Sequence, residues 1–191
     1  MELLKLFIKS MLVDNVVLVQ YLAICPFIGM TSETGKATGM GIATTFVIIL
    51  AAAVTWPLYT YVMVPLHLEF LQTLIFILVI AALVQLVEFY LKKCVPGLYS
   101  AMGIYLTLIT TNCAVLGVTI NCISKNYNYG QSLVYAAGTA LGFAMSLVIM
   151  SGVRKRVAVA PIPKAFKGTP ILFITASLLS LAFIGFKGLI K

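Results

Sequence analysis

Charged and imidazole side chains are scarce in this chain. Its 191 residues include 13 Lys and Arg, five Asp and Glu and one histidine, so charged residues make up 9% of the sequence. A typical soluble domain carries about 25% charged residues, and the shortage argues against such a domain. The sequence also lacks a Gly-rich phosphate loop, a Ser/His/Asp set and a nicotinamide or flavin fingerprint. No complete active site is therefore expected on this chain alone.

Apolar residues dominate what is present. Hydrophobic residues make up 62% of the sequence, and the mean hydropathy is +1.10. Continuous apolar stretches of about 20 residues recur, which is the length of a membrane-spanning helix, whereas barrel strands are short and alternate. The sequence therefore predicts an all-α integral membrane protein, with a single transmembrane domain over residues 1–191 in the lipid bilayer. Six transmembrane helices are predicted, at about 5–29, 39–63, 70–92, 99–123, 131–152 and 169–188.

The positive charges lie mostly in one set of predicted loops. The net charge of +8 does not indicate a nucleic-acid partner, because Lys and Arg form no patch interleaved with aromatic residues. The loops after predicted helices 1, 3 and 5 hold eight of the 13 Lys and Arg, so the positive-inside rule places them in the cytoplasm. Both termini are then expected outside, in the periplasm, on a multi-pass protein of the cell inner membrane. The Arg154–Arg156 cluster supplies much of this bias; a docking surface for a cytoplasmic partner or anionic lipid is its alternative interpretation.

Two segments of the chain resemble each other around a cysteine. Leu22–Gly29 and Thr110–Gly117 share the pattern Cys-x-x-x-Gly within apolar runs. Weaker matches follow in the same order, between predicted helices 2 and 5 and between helices 3 and 6. A copy with three helices must be followed by a copy that runs upside down through the membrane. The sequence therefore predicts a 3+3 inverted repeat of approximately residues 1–95 and 96–191.

Predicted helices 1 and 4 both have features of broken helices. Pro26 disfavours helical geometry at the residue before it. A polar run of threonines that ends at Asn112 lies in the middle of helix 4, where such side chains can satisfy freed backbone groups. Asp14 and Asn15 are placed to cap a half-helix. A simple proline kink with buried threonine contacts is the alternative interpretation.

Cys25 and Cys113 are the candidates for a site among the four cysteines. Equivalent residues of an inverted repeat meet only near its axis, so these two, if they meet, lie near the bilayer midplane. A matched pair of thiols there indicates metal or redox chemistry, while a disulfide and a packing role remain open. Cys94 and Cys122 are expected to be small apolar fillers. Cys122 lies about 180° around helix 4 from Cys113, so the two do not share one small cluster.

Two thiolates do not complete a metal site. Structural zinc and [2Fe–2S] clusters both take four ligands, and His67, the only histidine, lies in a predicted loop. A site built on the two cysteines must therefore borrow ligands from another subunit. Among the carboxylates near apolar segments, Glu88 is expected to pair with Lys92, four residues later. Asp14 is expected to be a cap or interface residue more readily than an ion ligand.

The cysteine segments and several other stretches have sequences that are typical of one protein family. These stretches are Val19–Leu22 with Cys25–Gly29, Gly39–Phe46, Leu108–Gly117, and Ile174–Ala176 with Leu178–Gly188. Together they resemble the A subunits of Rnf electron-transport complexes, and the resemblance covers essentially the whole chain. The Cys-Pro-Phe form of the first motif favours this family over the related E subunit of the sodium-pumping NADH:quinone reductase.

The resemblance implies a subunit of an ion-translocating oxidoreductase that passes electrons between reduced ferredoxin and NAD, coupled to Na⁺ or H⁺ movement. It implies that Cys25 and Cys113 join two cysteines of a homologous, oppositely oriented E-type subunit to hold a [2Fe–2S] cluster, in a complex that also contains B-, C-, D- and G-type subunits. The Ser-Gly-Ala-Thr flavin-attachment motif is missing, so no flavin is expected on this chain. An inverted-repeat secondary transporter is the rival class, and the few intramembrane polar ligands and the matched thiols argue against it.

Overall fold

The computed structural model describes residues 2–65, 69–94, 105–161, 163 and 166–185, and all regular secondary structure within them is helical. The helices are α1 (Glu2–Ile8), extended by a π-helical turn (Lys9–Val13); α2 (Ile24–Met30); α3 (Thr34–Leu58), extended by a second π-helical turn (Tyr59–Met63); a 3₁₀ turn (Glu69–Leu71) leading into α4 (Gln72–Cys94); α5 (Tyr105–Thr110); α6 (Cys113–Ser124); α7 (Tyr129–Val159); and α8 (Thr169–Ile184).

Three of the described helices are long and apolar enough to cross a membrane. They are α3 with its π-helical turn, the first part of α4, and α7. Shorter apolar helices run over Leu108–Ser124 and Thr169–Ile184. The prediction of an all-α membrane protein is confirmed. The predicted helix over 5–29 corresponds to α1 with its π-helical turn and α2, which irregular backbone separates, and the predicted helix over 99–123 corresponds to α5 and α6, with an interruption at residues 111–112.

The positive cluster Arg154–Arg156 lies within a helix rather than in a loop. The sequence predicts helix 5 to end near residue 152, whereas α7 continues to Val159. Lys and Arg are good helix formers, and their charge is favourable near a helix C-terminus, where the backbone dipole is negative. The helix then ends two residues before Pro161, because proline disfavours helical geometry in the residue that precedes it.

Helices α3 and α7 pack against each other through small residues. A Cβ atom added at Gly41 would lie 3.0 Å from the Cβ of Ala144. One turn further along α3, the Thr45 hydroxyl lies 3.4 Å from the carbonyl oxygen of Ala140. The helices therefore run antiparallel at a close approach, as small residues allow in membrane proteins.

The N-terminal helix is held against α7 by glycines and by one asparagine. A Cβ at Gly142 would lie 2.5 Å from the carbonyl oxygen of Met11, so only glycine fits there. The side chain of Asn15 is fully buried and donates hydrogen bonds to the Gly142 carbonyl, at 3.0 Å, and to the Ser146 hydroxyl, at 2.8 Å. Its Oδ1 accepts from the N–H groups of Val17 and Leu18, so Asn15 caps the turn that follows it.

Candidate functional site

The two candidate cysteines stand in the first turns of two short helices. Cys25 is the second residue of α2, and Cys113 is the first residue of α6. Both are free thiols with exposed side chains, whereas Cys122 is buried. An exposed thiol in a membrane helix can be reached by a neighbouring subunit, so the pair has the accessibility that a shared site needs.

Cys113 is in direct contact with the segment that precedes Cys25. The backbone N–H of Ala23 donates a hydrogen bond to the Sγ atom of Cys113 at 2.9 Å. A Cβ at Gly117 would lie 2.6 Å from a methyl carbon of Leu22, so the absent side chain lets this segment approach α6. Residues four apart share one helix face. The face of α6 that carries Cys113 and Gly117 therefore packs against Leu22 and Ala23.

The segment before Cys25 has an unusual backbone. Tyr21 and Ala23 have φ angles of 57° and 60°, in the left-handed region, which costs a non-glycine residue about 1–2 kcal/mol. Contacts on both sides hold this conformation. The Leu22 N–H bonds to the Val16 carbonyl at 3.1 Å, and the Tyr21 hydroxyl lies 2.9 Å from Ser180 Oγ on α8. The strained turn directs the Ala23 N–H at the Cys113 sulfur.

The interruption before α6 is capped by Asn112. Its Oδ1 accepts a hydrogen bond from the N–H of Ala114 at 3.0 Å, which satisfies one of the free donors at the helix start. The asparagine is 5% exposed, and its Nδ2 has no hydrogen-bond partner among the residues that the structure describes. In the sequence, Asn112 is one member of a polar run, and nothing in that pattern indicates a spare donor.

Arg154 caps the C-terminal end of α2, the helix that carries Cys25. Its Nη1 atom donates to the carbonyl oxygen of Ile28 at 2.9 Å and lies 3.3 Å from the Thr31 hydroxyl. A guanidinium at the C-terminal carbonyls of α2 satisfies a free acceptor and meets the negative end of the helix dipole. From the sequence, Arg154 is interpreted as a topology signal or as part of a docking surface, and nothing in its local pattern shows a contact with a helix over 120 residues earlier.

The described side chains form no larger metal-binding group. No cluster of three or more His, Cys, Asp or Glu side chains is found in this part of the chain. A four-thiolate cluster on Cys25 and Cys113 would therefore need two further ligands from outside the described residues. His67 lies outside the described residues, and so do the side chains of Cys94 and of Lys92, the expected partner of Glu88.

Asp14 is engaged in an ion pair. Its Oδ2 accepts from the ammonium of Lys125 at 2.9 Å, across 111 residues of sequence. Burial alone would lower the pKa of Lys125, but the hydrogen bond to Asp14 and neighbouring charges outweigh it, so the pKa is raised. The Lys125 ammonium also lies 4.7 Å from the ring centre of Tyr135, a cation–π distance. This arrangement supports the interface role expected for Asp14 rather than that of an ion ligand.

Comparison with known proteins agrees with this architecture. A family model described as "Rnf-Nqr subunit, membrane protein" matches residues 3–190. The chain is 51% identical over 189 residues to a protein of Syntrophotalea carbinolica, covering 99% of this chain and 98% of the relative. It is 52% identical over 188 residues to a protein of Azoarcus sp. strain BH72, with 98% and 97% covered, and 50% identical over 190 residues to one of Serratia proteamaculans, with 100% and 98% covered.

Each of these three relatives is named as the A subunit of an ion-translocating oxidoreductase complex. The resemblance to the A subunits of Rnf complexes, expected from the cysteine segments, is confirmed. Each match extends over nearly the full length of this chain and of the relative, so the similarity applies to the whole chain and not to one shared segment. The chain therefore belongs to the Rnf-Nqr family of membrane subunits.

Proposed function

We propose that this chain carries electrons within the membrane as the A-type subunit of an Rnf ferredoxin:NAD oxidoreductase complex. In this proposal, Cys25 and Cys113 supply two thiolate ligands to a [2Fe–2S] cluster, and a homologous, oppositely oriented E-type subunit supplies the other two. When bound, such a cluster would accept and release one electron at a time near the middle of about 30 Å of hydrocarbon. The observation that carries the proposal is the contact between Cys113 and the backbone just before Cys25, with both thiols exposed.

The residues around the thiols suit this role. The Ala23 N–H already donates to the Cys113 sulfur, and backbone donors to sulfur stabilise thiolate ligands and help to set a cluster's potential. Both cysteines lie in the first turn of a helix, where the positive end of the dipole favours negative charge. Low-polarity surroundings alone would disfavour a thiolate, so these donors matter for holding the charged form.

The packing of α3 against α7 supports the inverted repeat. The repeat makes Gly41 equivalent to Gly138, and on the same spacing it makes Thr44 equivalent to Leu141. The contacts from Gly41 to Ala144 and from Thr45 to Ala140 bracket that pair. The equivalent residues Thr44 and Leu141 thus lie at the same height where α3 and α7 cross. A pseudo-two-fold axis in the membrane plane requires this arrangement.

The proposal includes topology and coupling. Both termini lie outside and the end of α7 that carries Arg154 faces the cytoplasm, in accordance with the distribution of Lys and Arg. Residues 14–23 and 111–112, which interrupt the helices beside the two cysteines, are the segments whose rearrangement would couple electron transfer to Na⁺ or H⁺ movement. The relatives are named as A subunits of ion-translocating oxidoreductase complexes, which favours an A-type subunit over an E-type subunit and a redox complex over a secondary transporter.

Replacing single cysteines in the whole complex tests the proposal. Cys25→Ser and Cys113→Ser should each remove the intramembrane iron and leave the cofactors of other subunits in place, since each thiolate is one of four ligands. Cys122→Ser is the matched control: it also replaces a thiol of α6, but that thiol is buried away from the pair. Full iron occupancy in Cys113→Ser would refute the assignment.

A further inference from the structure

Only one of the two polar atoms in the side-chain amide of Asn112 has a hydrogen-bond partner among the described residues. Its Oδ1 accepts from the N–H of Ala114 at 3.0 Å, and because only the oxygen of an amide can accept, this bond fixes Nδ2 as the remaining donor. The residue is 5% exposed, and Nδ2 finds no acceptor among the residues described. A buried donor without an acceptor is costly, so an acceptor from outside the described residues is expected here.

The position of the amide indicates which acceptor that is. Asn112 directly precedes Cys113, and its bond to the Ala114 N–H holds the amide over the first turn of α6. The Cys113 sulfur in the same turn already receives the Ala23 N–H and is exposed. The Cys113 half of the site therefore has one N–H donor on the sulfur, from Ala23, and a second donor without a partner in the described part of the chain, Asn112 Nδ2, on the adjacent residue. The residue equivalent to Asn112 in the first repeat is Ile24, whose side chain has no donor.

We propose that Asn112 donates an Nδ2–H hydrogen bond to a sulfur atom of the shared cluster on its Cys113 side and thereby raises the reduction potential. The inference rests on the proposed function and deepens it. Reduction adds negative charge to the cluster, and a hydrogen bond to sulfur stabilises the more negative form. Only one repeat carries this donor, so the two halves of the site are electronically unequal.

Pulsed electron paramagnetic resonance of the reduced complex tests this contact directly. The complex is prepared with ¹⁵N confined to the side-chain amide of asparagine, and the wild type should show a ¹⁵N coupling to the cluster. Asn112→Thr keeps a capping oxygen at the helix start but removes the amide. It should abolish the coupling and make the midpoint potential more negative, by about a tenfold change in the reduction equilibrium, or ~59 mV for one electron.

Asn121→Thr is the matched control, because this amide lies on the same helix and donates to Gln20 Oε1 at 3.2 Å. It should keep both the coupling and the potential of the wild type. A wild-type cluster without amide coupling would overturn the inference, whether or not Asn112→Thr assembles, and so would an unchanged potential in Asn112→Thr. A complex without the cluster would overturn the proposed function as well, so the two failures are distinguishable.

Discussion

Ala23 and Cys113 are joined by a hydrogen bond from backbone N–H to sulfur, 2.9 Å long, although 90 residues separate them in sequence. The donor belongs to the turn that leads directly into the helix of Cys25. The position of one thiol is thus tied to the backbone that positions the other. A perturbation on either side of this bond is expected to affect both halves of the site.

Removing the guanidinium at the end of α2 should disturb Cys25 from a distance. Arg154→Gln loses a charged hydrogen bond to Ile28, and bonds to charged groups contribute about 1.5–3 kcal/mol. We expect a lower melting temperature of the complex and partial loss of intramembrane iron. Lys155→Gln removes a neighbouring but exposed positive charge and should leave both unchanged. Equal effects of the two substitutions would show that net charge, and not the contact with α2, is what matters.

The sequence predicted much of the fold because apolar runs of membrane length have few other solutions. It also singled out Cys25 and Cys113 through their shared pattern. It did not predict the left-handed backbone at Tyr21 and Ala23, since neither residue type favours that conformation. The contacts of Arg154 were likewise hidden, because they depend on how α7 crosses a segment distant in sequence.

Replacing one glycine of α7 by alanine should push α7 away from the N-terminal helix. A Cβ at Gly142 would lie 2.5 Å from the backbone oxygen of Met11, and backbone cannot move aside as a side-chain tip can. Gly142→Ala should therefore destabilise the subunit by about 1–3 kcal/mol, despite the better helix propensity of alanine. Gly152→Ala lies on the same helix with no atom within 4 Å of the new Cβ. Thermal unfolding of both variants checks this; equal stability would contradict the packing.

The pair of Asp14 and Lys125 should give a pH-dependent contribution to stability. Because the folded-state pKa of Lys125 is raised, its contribution is fully present below the ordinary lysine value of about 10.4 and is lost as pH rises through the folded value. Asp14→Asn should lower stability across neutral pH, by less than about 1 kcal/mol, because the pair is partly exposed to solvent. The difference from wild type should shrink at strongly alkaline pH. A stability difference between Asp14→Asn and wild type that grows at alkaline pH would contradict this prediction.

Reporter fusions test the orientation of the chain. Alkaline phosphatase fused after Lys191 should be active, because the distribution of Lys and Arg puts the C-terminus outside. The same enzyme fused after Pro163, beyond the positive end of α7, should be inactive, and a fluorescent protein at that site should fold. The opposite pattern would invert the topology without altering the cysteine site.

Iron bound by the lone subunit, compared with iron bound after co-expression with its homologous partner, tests the shared site most directly. Two thiolates leave half of a four-ligand site empty, and uncompensated charge in a low-dielectric interior is costly. The lone subunit should therefore hold little or no iron. Co-expression should restore the cluster and raise stability together, since metal binding and ordering of the ligands are coupled. A full [2Fe–2S] cluster in the isolated monomer would contradict the account, because this chain would then need no ligands from a partner.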